Sequence, residues 1–314
     1  MEFGVQIEPQ FGFEYEDISK IGKNALENGF NTLWFSDHFM LDADATDKVL
    51  LDPWLVMTAI VREFKELKVG SLVFCNSYRN PALHAKMAAT LDVLSGGRLE
   101  FGIGAGWKRL DYKAYGYDFP DFPTRAEQLI EAIQIIRGAW TENKYSFSGK
   151  HYTVENLVSF PKPIQKPHPK IWVGSNMGGP RMIELAARYG DGINVAWGFT
   201  PTQTQDIFNQ LHDFAEKHGR KPESIGKSVG CWSRILKSDS EMEEKIKSGA
   251  KSRGVSEDAY RKRVKTSLWG TPEIVAERLS QYREQGVSHI ILMFPYGEKR
   301  EQIALFGEKV LPLL

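Results

Sequence analysis

Strand and helix signals alternate eight times along this chain, and this repeat is the feature that most constrains its fold. Short apolar segments predict strands at 3–7, 32–35, 69–74, 99–103, 170–173, 192–195, 227–236 and 289–294. Segments between them, such as 81–94 and 201–218, carry apolar residues at helical spacing. Eight such units without a break in composition predict an α/β fold, a (β/α)8 TIM barrel forming a single domain over 1–314. A doubly wound sheet is the alternative, and the near-regular repeat favours closure into a barrel.

Two segments interrupt the alternation. Residues 145–154 resemble a hairpin around Gly149, and a proline-rich crossing follows. Residues 240–266 are charged and mostly helical in pattern. We therefore expect insertions after strands 4 and 7, the second on the face that carries the site.

Composition narrows the classes of function and location. The chain has 40 Lys and Arg against 40 Asp and Glu, so its net charge gives no reason to expect nucleic acid or an anionic membrane as partner. Cys75 and Cys231 are far apart in sequence and indicate no disulfide framework. The N-terminal residues lack a secretory signal, and no apolar run is long enough for a membrane span. These features predict a cytoplasmic protein.

A glycine-rich loop follows the fourth predicted strand, in the segment Leu91–Trp107. Glycines at the carboxyl end of a parallel strand let the backbone approach a ligand closely, so Gly104 and Gly106 are candidates for cofactor binding. A dinucleotide fingerprint is a competing interpretation, but Trp107 stands where its third glycine belongs. A tight turn without a ligand is the other alternative.

Residues directly after the barrel strands should share one cavity, because the carboxyl ends of all eight strands meet at one face. His38 follows strand two and is a candidate for proton transfer near neutral pH; a histidine satisfied by a neighbour is the alternative. Asp37 is expected to be buried and bonded to backbone or Arg79, with direct ligand contact as the second possibility. Further candidates at these strand ends are Cys75, Trp107, Trp197 and Tyr296.

The segment 174–180 is a glycine-rich turn entering a helix. Free N–H groups and the helix dipole at such a start favour an anion, so Gly174, Ser175, Asn176, Gly178 and Gly179 are candidates for a cofactor phosphate. A flexible connection is the plain alternative. No metal-ligand spacing, P-loop or nucleophile elbow is present, so we expect no metal and a flavin-like cofactor that carries the chemistry.

Three motifs resemble the bacterial luciferase-like superfamily of flavin and deazaflavin oxidoreductases, in particular its F420-dependent branch. They are Gly29–His38, Tyr78–Ala82 and Leu91–Trp107, with 190–192 in addition. The resemblance implies a TIM barrel whose cofactor ring is backed by a non-proline cis peptide near Leu72 and Val73. It implies that Asp37 and His38 lie beside the ring as the catalytic pair and that Gly178 and Gly179 hold the phosphate. Some sugar-phosphate dehydrogenases of the family have a glutamate where Trp107 stands, which argues against their glutamate-assisted mechanism here.

The resemblance implies three functions in decreasing order of preference. The first is F420-dependent hydride transfer to or from a small organic substrate, with His38 as proton donor or acceptor. The second is an FMN-dependent monooxygenase that receives reduced flavin from a separate reductase. The third is a non-catalytic flavin-binding protein. A homodimer is expected, since dimers are the commonest assembly.

Overall fold

The computed structural model describes residues 1–176 and 178–314, and within them it shows a closed parallel β-barrel surrounded by helices. The strands are β1 Glu2–Ile7, β2 Thr32–Phe35, β3 Lys68–Ser71, β4 Phe74–Cys75, β5 Leu99–Gly104, β6 Tyr145–Ser148, β7 Thr153–Leu157, β8 Ile171–Ser175, β9 Gly192–Val195, β10 Gly226–Ile235, β11 Leu268–Gly270 and β12 His289–Met293. The α-helices are α1 Tyr15–Glu27, α2 Pro53–Glu63, α3 Pro81–Ser95, α4 Arg109–Ala114, α5 Phe122–Thr141, α6 Pro180–Tyr189, α7 Pro201–Lys217, α8 Asp239–Arg253, α9 Glu257–Lys265, α10 Pro272–Glu284 and α11 Lys299–Leu305.

Eight strands form the barrel wall. The order of pairing is β1, β2, β3, β5, β8, β9, β10 and β12, and β12 pairs again with β1. Every one of these pairs is parallel, so all eight strands present their carboxyl ends at one mouth. The predicted (β/α)8 barrel is confirmed.

The third predicted strand is divided in two. β3 ends at Ser71, a cis peptide bond joins Leu72 to Val73, and β4 continues the path against β5. The cis bond therefore lies where the resemblance implied it. A second non-proline cis bond joins Ala196 to Trp197 after β9.

Two tryptophans fill the interior of the barrel below its mouth. Trp34 and Trp172 are both almost fully buried. A Cβ added at Gly4 would lie 2.5 Å from the Trp34 indole, and one at Gly192 would lie 2.3 Å from the Trp172 ring. Glycines on neighbouring strands thus make room for the two indoles, as a close-packed interior requires.

The amino ends of the strands are closed by a cluster of charged side chains, which we call the base cluster: Glu2, Lys68, Glu100 and His289. Lys68 Nζ lies 2.8 Å from Glu2 Oε2 and 3.6 Å from Glu100 Oε1. Trp172 Nε1 donates to Glu100 Oε2 at 2.8 Å. These contacts link β1, β3, β5 and β8, and His289 of β12 joins the cluster with its Nε2 3.5 Å from Glu2 Oε2 but without a hydrogen bond to it.

Both expected insertions are present. After β5, the fourth barrel strand, come α4, α5 and the β6–β7 hairpin; after β10, the seventh, come α8, α9 and β11. Among the described residues, no helix combines the length and the apolar character needed to cross a membrane.

Candidate active site

A cavity of about 840 Å³ opens at the mouth of the barrel. Most residues predicted for the site line it: Asp37, His38, Leu72, Val73, Cys75, Gly104, Gly106, Trp107, Gly174, Ser175, Asn176, Gly179 and Trp197. They come from the ends of β2, β5, β8 and β9 and from the turn between β3 and β4. The barrel therefore assembles residues that are up to 160 positions apart in sequence (197 minus 37).

His38 is held by a carboxylate that the sequence reasoning missed. Its Nδ1 lies 2.9 Å from Asp111 Oδ2, and the Asp111 side chain is fully buried. Because Nδ1 is occupied by this contact, Nε2 is the nitrogen left for proton exchange with a ligand in the cavity. The Trp107 ring meets the imidazole edge to face at 5.4 Å, which restricts its orientation further.

Asp111 is tuned to remain ionised. Burial alone would raise its pKa, but the hydrogen bond from His38 and the nearby Lys108 ammonium outweigh burial, and the pKa lies below its ordinary value. Lys108 Nζ is 3.4 Å from Asp111 Oδ1, and the Tyr78 hydroxyl donates to Oδ2 at 3.2 Å. The ionised carboxylate favours a proton on Nδ1 and stabilises His38 when the ring gains a second proton.

Asp37 has a different environment. Its carboxylate accepts from Arg79 Nη1 at 2.8 Å and from the Cys75 backbone N–H at 2.9 Å. Burial raises the pKa of Asp37, and the Arg79 guanidinium opposes that rise. Arg79 also reaches Asp52 at the start of α2. This geometry agrees with the structural interpretation of Asp37, because its oxygens hold β4 beside the cis turn. The carboxylate that contacts His38 is that of Asp111.

The cis turn forms part of the cavity wall, and nearby glycines make room for it. A Cβ at Gly104 would lie 2.7 Å from Val73 Cγ2, and one at Gly174 would lie 2.9 Å from Val73 Cγ1. Gly106 has a φ of +79°, and a Cβ there would lie 2.0 Å from the Tyr112 hydroxyl. Gly104 and Gly106 line the cavity, and the space that their missing side chains leave is taken by Val73 and Tyr112.

The opposite side of the cavity is suited to an anion. α6 begins at Pro180 with no side chain capping its first turn, and a Cβ at Gly179 would meet nothing within 4 Å. Arg125 is 8% exposed and lines the same cavity. It forms no ion pair with any carboxylate of residues 1–176 and 178–314, and its Nε has no partner, while its Nη1 donates to the Pro120 carbonyl and its guanidinium lies 4.1 Å from the centre of the Phe119 ring. A buried guanidinium without a carboxylate partner, in the same cavity as a free helix start, fits a phosphate or carboxylate.

Two further polar atoms on the cavity wall have no protein partner among the described residues. They are Ser175 Oγ and Asn194 Oδ1, each in a side chain that is 2% exposed. Asn194 uses only its Nδ2, which donates to Ser228 Oγ at 2.7 Å. Buried polar groups are normally paired, so these two atoms indicate a polar ligand in the cavity.

Two predicted site residues lie elsewhere. Tyr296 is half exposed, its hydroxyl donates to the Gly12 carbonyl at 3.3 Å, and it lines a smaller neighbouring cavity. Gly178 does not line the main cavity, and its Cβ position faces Ile207 of α7. Neither residue lines the main cavity, and the roles predicted for them stay predictions. Met177, in the same turn as Gly178, lies outside the described residues.

The missed residues had weak local signals. Asp111 lies on α4, in a stretch that resembled an aromatic loop, and reaches His38 only through the fold. Arg125 had a signal in the sequence, because the helix dipole disfavours a cation close to the start of a helix. Such a cation indicates a role other than stabilising the helix.

The cavity contains no activated thiol. Burial raises the pKa of Cys75 to about 12, and its sulfur lies 3.0 Å from the Tyr112 hydroxyl. A thiol in this state is a poor nucleophile at neutral pH. Among the described residues, no three potential metal ligands cluster either.

A model of the family described as luciferase-like monooxygenase matches residues 1–261. The chain belongs to the luciferase-like monooxygenase family. It is 28% identical to an FMNH2-dependent dimethylsulfone monooxygenase of Pseudomonas putida, over 98% of this chain and 90% of that protein. It is 26% identical to an F420-dependent glucose-6-phosphate dehydrogenase of Amycolatopsis mediterranei, over 97% of this chain and 96% of that protein. The relatives are thus oxidoreductases of both cofactor classes.

Solved structures agree on the fold. An F420-dependent secondary alcohol dehydrogenase in complex with an F420–acetone adduct superposes with a TM-score of 0.80 at 20% identity. The match covers 99% of this chain and 98% of that chain. It supports the same TIM barrel fold.

Proposed function

We propose that this protein is an oxidoreductase that uses coenzyme F420 to transfer a hydride to or from a small organic substrate, with His38 exchanging the proton. The observation that carries the proposal is the His38–Asp111 pair at the cavity wall. Oxidation of an alcohol to a carbonyl removes a hydride from carbon and a proton from oxygen. One oriented base beside a hydride acceptor meets both needs.

Residues on the anion side would hold the cofactor. Arg125, Ser175 and the start of α6 at Gly179 provide unpaired donors for its phosphate-bearing chain. Leu72, Val73 and the backbone at Gly104 and Gly174 provide an apolar wall for its ring. When bound, F420 supplies a ring carbon that accepts or donates a hydride.

His38 would take the hydroxyl proton of the substrate at Nε2 while Asp111 holds Nδ1–H. The imidazolium that results would be stabilised by the ionised Asp111 carboxylate, which favours the charged ring. In the reverse direction the same nitrogen would return the proton to the carbonyl oxygen. Trp107 and Trp197, both at the cavity wall, would limit the size and orientation of the substrate.

An FMN-dependent monooxygenase is the second candidate. The Pseudomonas putida relative, which matches 98% of this chain, has that activity by name. Under this alternative the protein would receive reduced flavin from a separate reductase and consume oxygen.

The test compares the two reactions directly. Purified protein is mixed with F420 and a series of neutral alcohols, and loss of the oxidised deazaflavin absorbance is followed. In parallel, oxygen uptake with chemically reduced FMN and the same compounds is measured as the excess over spontaneous oxidation of free reduced FMN without protein. Saturable F420 reduction without oxygen uptake supports the proposal; FMN-dependent uptake with no F420 reduction rejects it.

We further propose that the protein is a cytoplasmic homodimer. Two buried free cysteines are compatible with a reducing compartment. Leu55 on α2 is 73% exposed and Leu83 on the adjacent α3 is 49% exposed, which leaves apolar surface for a second copy. Light scattering on the eluted protein tests the dimer, and a monomer mass rejects it.

A further inference from the structure

The main cavity has two ends of opposite electrical character. Arg125 and the start of α6 make one end electropositive. At the other end Glu8 follows β1 directly and is 9% exposed. Its carboxylate accepts from Gln6 Nε2 at 3.0 Å and from Gln10 Nε2. Ser36 Oγ donates to Gln10 Oε1 at 2.7 Å, which fixes this polar wall.

A smaller cavity of about 50 Å³ adjoins this end, and we call it the annex. It shares Glu8, Phe11, Trp232 and Met293 with the main cavity. Its remaining wall is largely apolar and includes Phe13, whose ring lies 4.6 Å from that of Tyr296. The annex thus extends the main cavity with an apolar recess beside a carboxylate.

Cations near this end are not available to a ligand. Lys299 is 4% exposed, and its Nζ donates to the Gln6 carbonyl at 2.8 Å and the Phe294 carbonyl at 3.2 Å. Burial lowers the pKa of Lys299 to about 8. Lys108, the other lysine on the cavity wall, is engaged by Asp111 and the Met40 carbonyl. Among the described residues that line the main cavity and the annex, these two lysines are the only cations besides Arg125.

We infer that the Glu8 end and the annex form a substrate subsite for a neutral, largely apolar alcohol or carbonyl compound, and that this subsite discriminates against anionic substrates. A hydroxyl or N–H of the substrate donates to Glu8, and apolar carbon fills the space between Phe11 and Trp232. A phosphate or carboxylate at this position would face the Glu8 carboxylate, and the nearby cation Lys299 is already engaged by Glu8 and two backbone carbonyls. The inference rests on the proposed function in one respect: it requires that the cofactor is bound at the electropositive end of the cavity, which contains Arg125 and the start of α6.

The test uses two probes with the same body and different charge, cyclohexylmethanol and cyclohexanecarboxylate. Titration calorimetry at pH 7.5 measures their affinity for protein saturated with reduced F420, which cannot accept another hydride and so prevents turnover. The alcohol is expected to bind at least tenfold more tightly than the carboxylate. Equal affinity, or tighter binding of the carboxylate, would overturn the inference.

Variants assign the discrimination to Glu8. Glu8→Gln removes the charge and keeps an acceptor oxygen, so the carboxylate should bind within about threefold of the alcohol. Glu14→Gln changes an exposed glutamate close by and should leave the tenfold difference intact. A Glu8→Gln protein that still binds the alcohol at least tenfold more tightly than the carboxylate would contradict the assignment of this discrimination to Glu8. If that variant fails to fold, the wild-type comparison of the two probes still decides the inference.

The proposed function and this inference fail separately. If the protein binds FMN and not F420, the cofactor assignment is wrong, and the same titration is run with reduced FMN in place. A neutral preference found there still supports the subsite. If F420 binds and the two probes bind equally, the subsite inference alone is rejected.

Discussion

The two ends of this barrel use buried polar side chains in opposite ways. In the base cluster, Lys68 lies between Glu2 and Glu100, and Glu100 also accepts from Trp172. At the mouth, Arg125 Nε, Ser175 Oγ and Asn194 Oδ1 have no partner in the described part of the chain. Both regions lie at strand ends of the same barrel. The difference indicates that the base is built for stability and the mouth for a ligand, as is usual in TIM barrels.

The largest expected effect is at His38. His38→Ala should lower kcat by about 10²- to 10⁴-fold, the usual contribution of general acid–base catalysis, with cofactor affinity little changed. The matched change at the base, His289→Asn, should leave kcat unchanged and lower the free energy of unfolding. Steady-state kinetics and urea denaturation of both variants check this. A His38→Ala protein with the kcat of the wild type would show that His38 at the mouth is no more catalytic than His289 at the base.

Arg125→Met should act on affinity and stability in opposite directions. Loss of a charge-assisted hydrogen bond of about 1.5–3 kcal/mol should weaken cofactor binding roughly 10- to 100-fold. The cofactor-free protein should become more stable, because removal of a buried cation without a carboxylate partner outweighs the loss of its hydrogen bond to the Pro120 carbonyl. Fluorescence titration and denaturant unfolding measure the two effects. Arg98, which donates to four backbone carbonyls near the base, supplies the control: Arg98→Met should lose stability and keep cofactor affinity.

Asp111→Asn should lower kcat about tenfold or more, because His38 loses the charge that stabilises its protonated form, while KM changes little. Asp37→Asn should instead reduce stability, since Asp37 bonds Arg79 and β4. Steady-state kinetics and denaturant unfolding of both variants measure these effects and compare the roles of the two aspartates at the mouth. Equal effects on kcat would contradict the distinct roles of the two aspartates.

The lowered pKa of Asp111 also gives a pH dependence of stability. A carboxyl with a folded-state pKa below its unfolded value of about 4 contributes stability that is complete above that value and is lost as the pH falls through the folded pKa. The difference in unfolding free energy between wild type and Asp111→Asn should therefore be largest near pH 7 and shrink below about pH 4. A difference that grows on acidification would show that the sign is wrong.

The smallest effect is expected for Trp172→Phe in the barrel interior. It removes the donor to Glu100 and leaves space beside Gly192, so the free energy of unfolding should fall by about 1–3 kcal/mol. Activity should stay at the wild-type level. A large loss of kcat in this variant would mean that the base is coupled to the mouth.

Local sequence patterns predicted the barrel and part of its mouth. β2 and β9 have the predicted bounds because each is a short apolar run flanked by turn residues. His38 was found because it directly follows a strand, and position after a strand places a residue at the mouth. Asp111 was not found from the sequence, because its pairing with His38 spans 73 positions and depends on how α4 packs. Tyr296 follows a strand as His38 does, but its side chain turns towards Gly12.

Parallel titration of the wild-type protein with F420 and with FMN tests the central claim, that the unpaired groups at the mouth hold a deazaflavin beside His38. Absorbance and fluorescence changes of each ligand report binding. The account predicts saturable binding of F420, weakened in Arg125→Met and unchanged in His38→Ala. Binding of FMN with no detectable binding of F420, or F420 affinity that does not respond to Arg125, would contradict it.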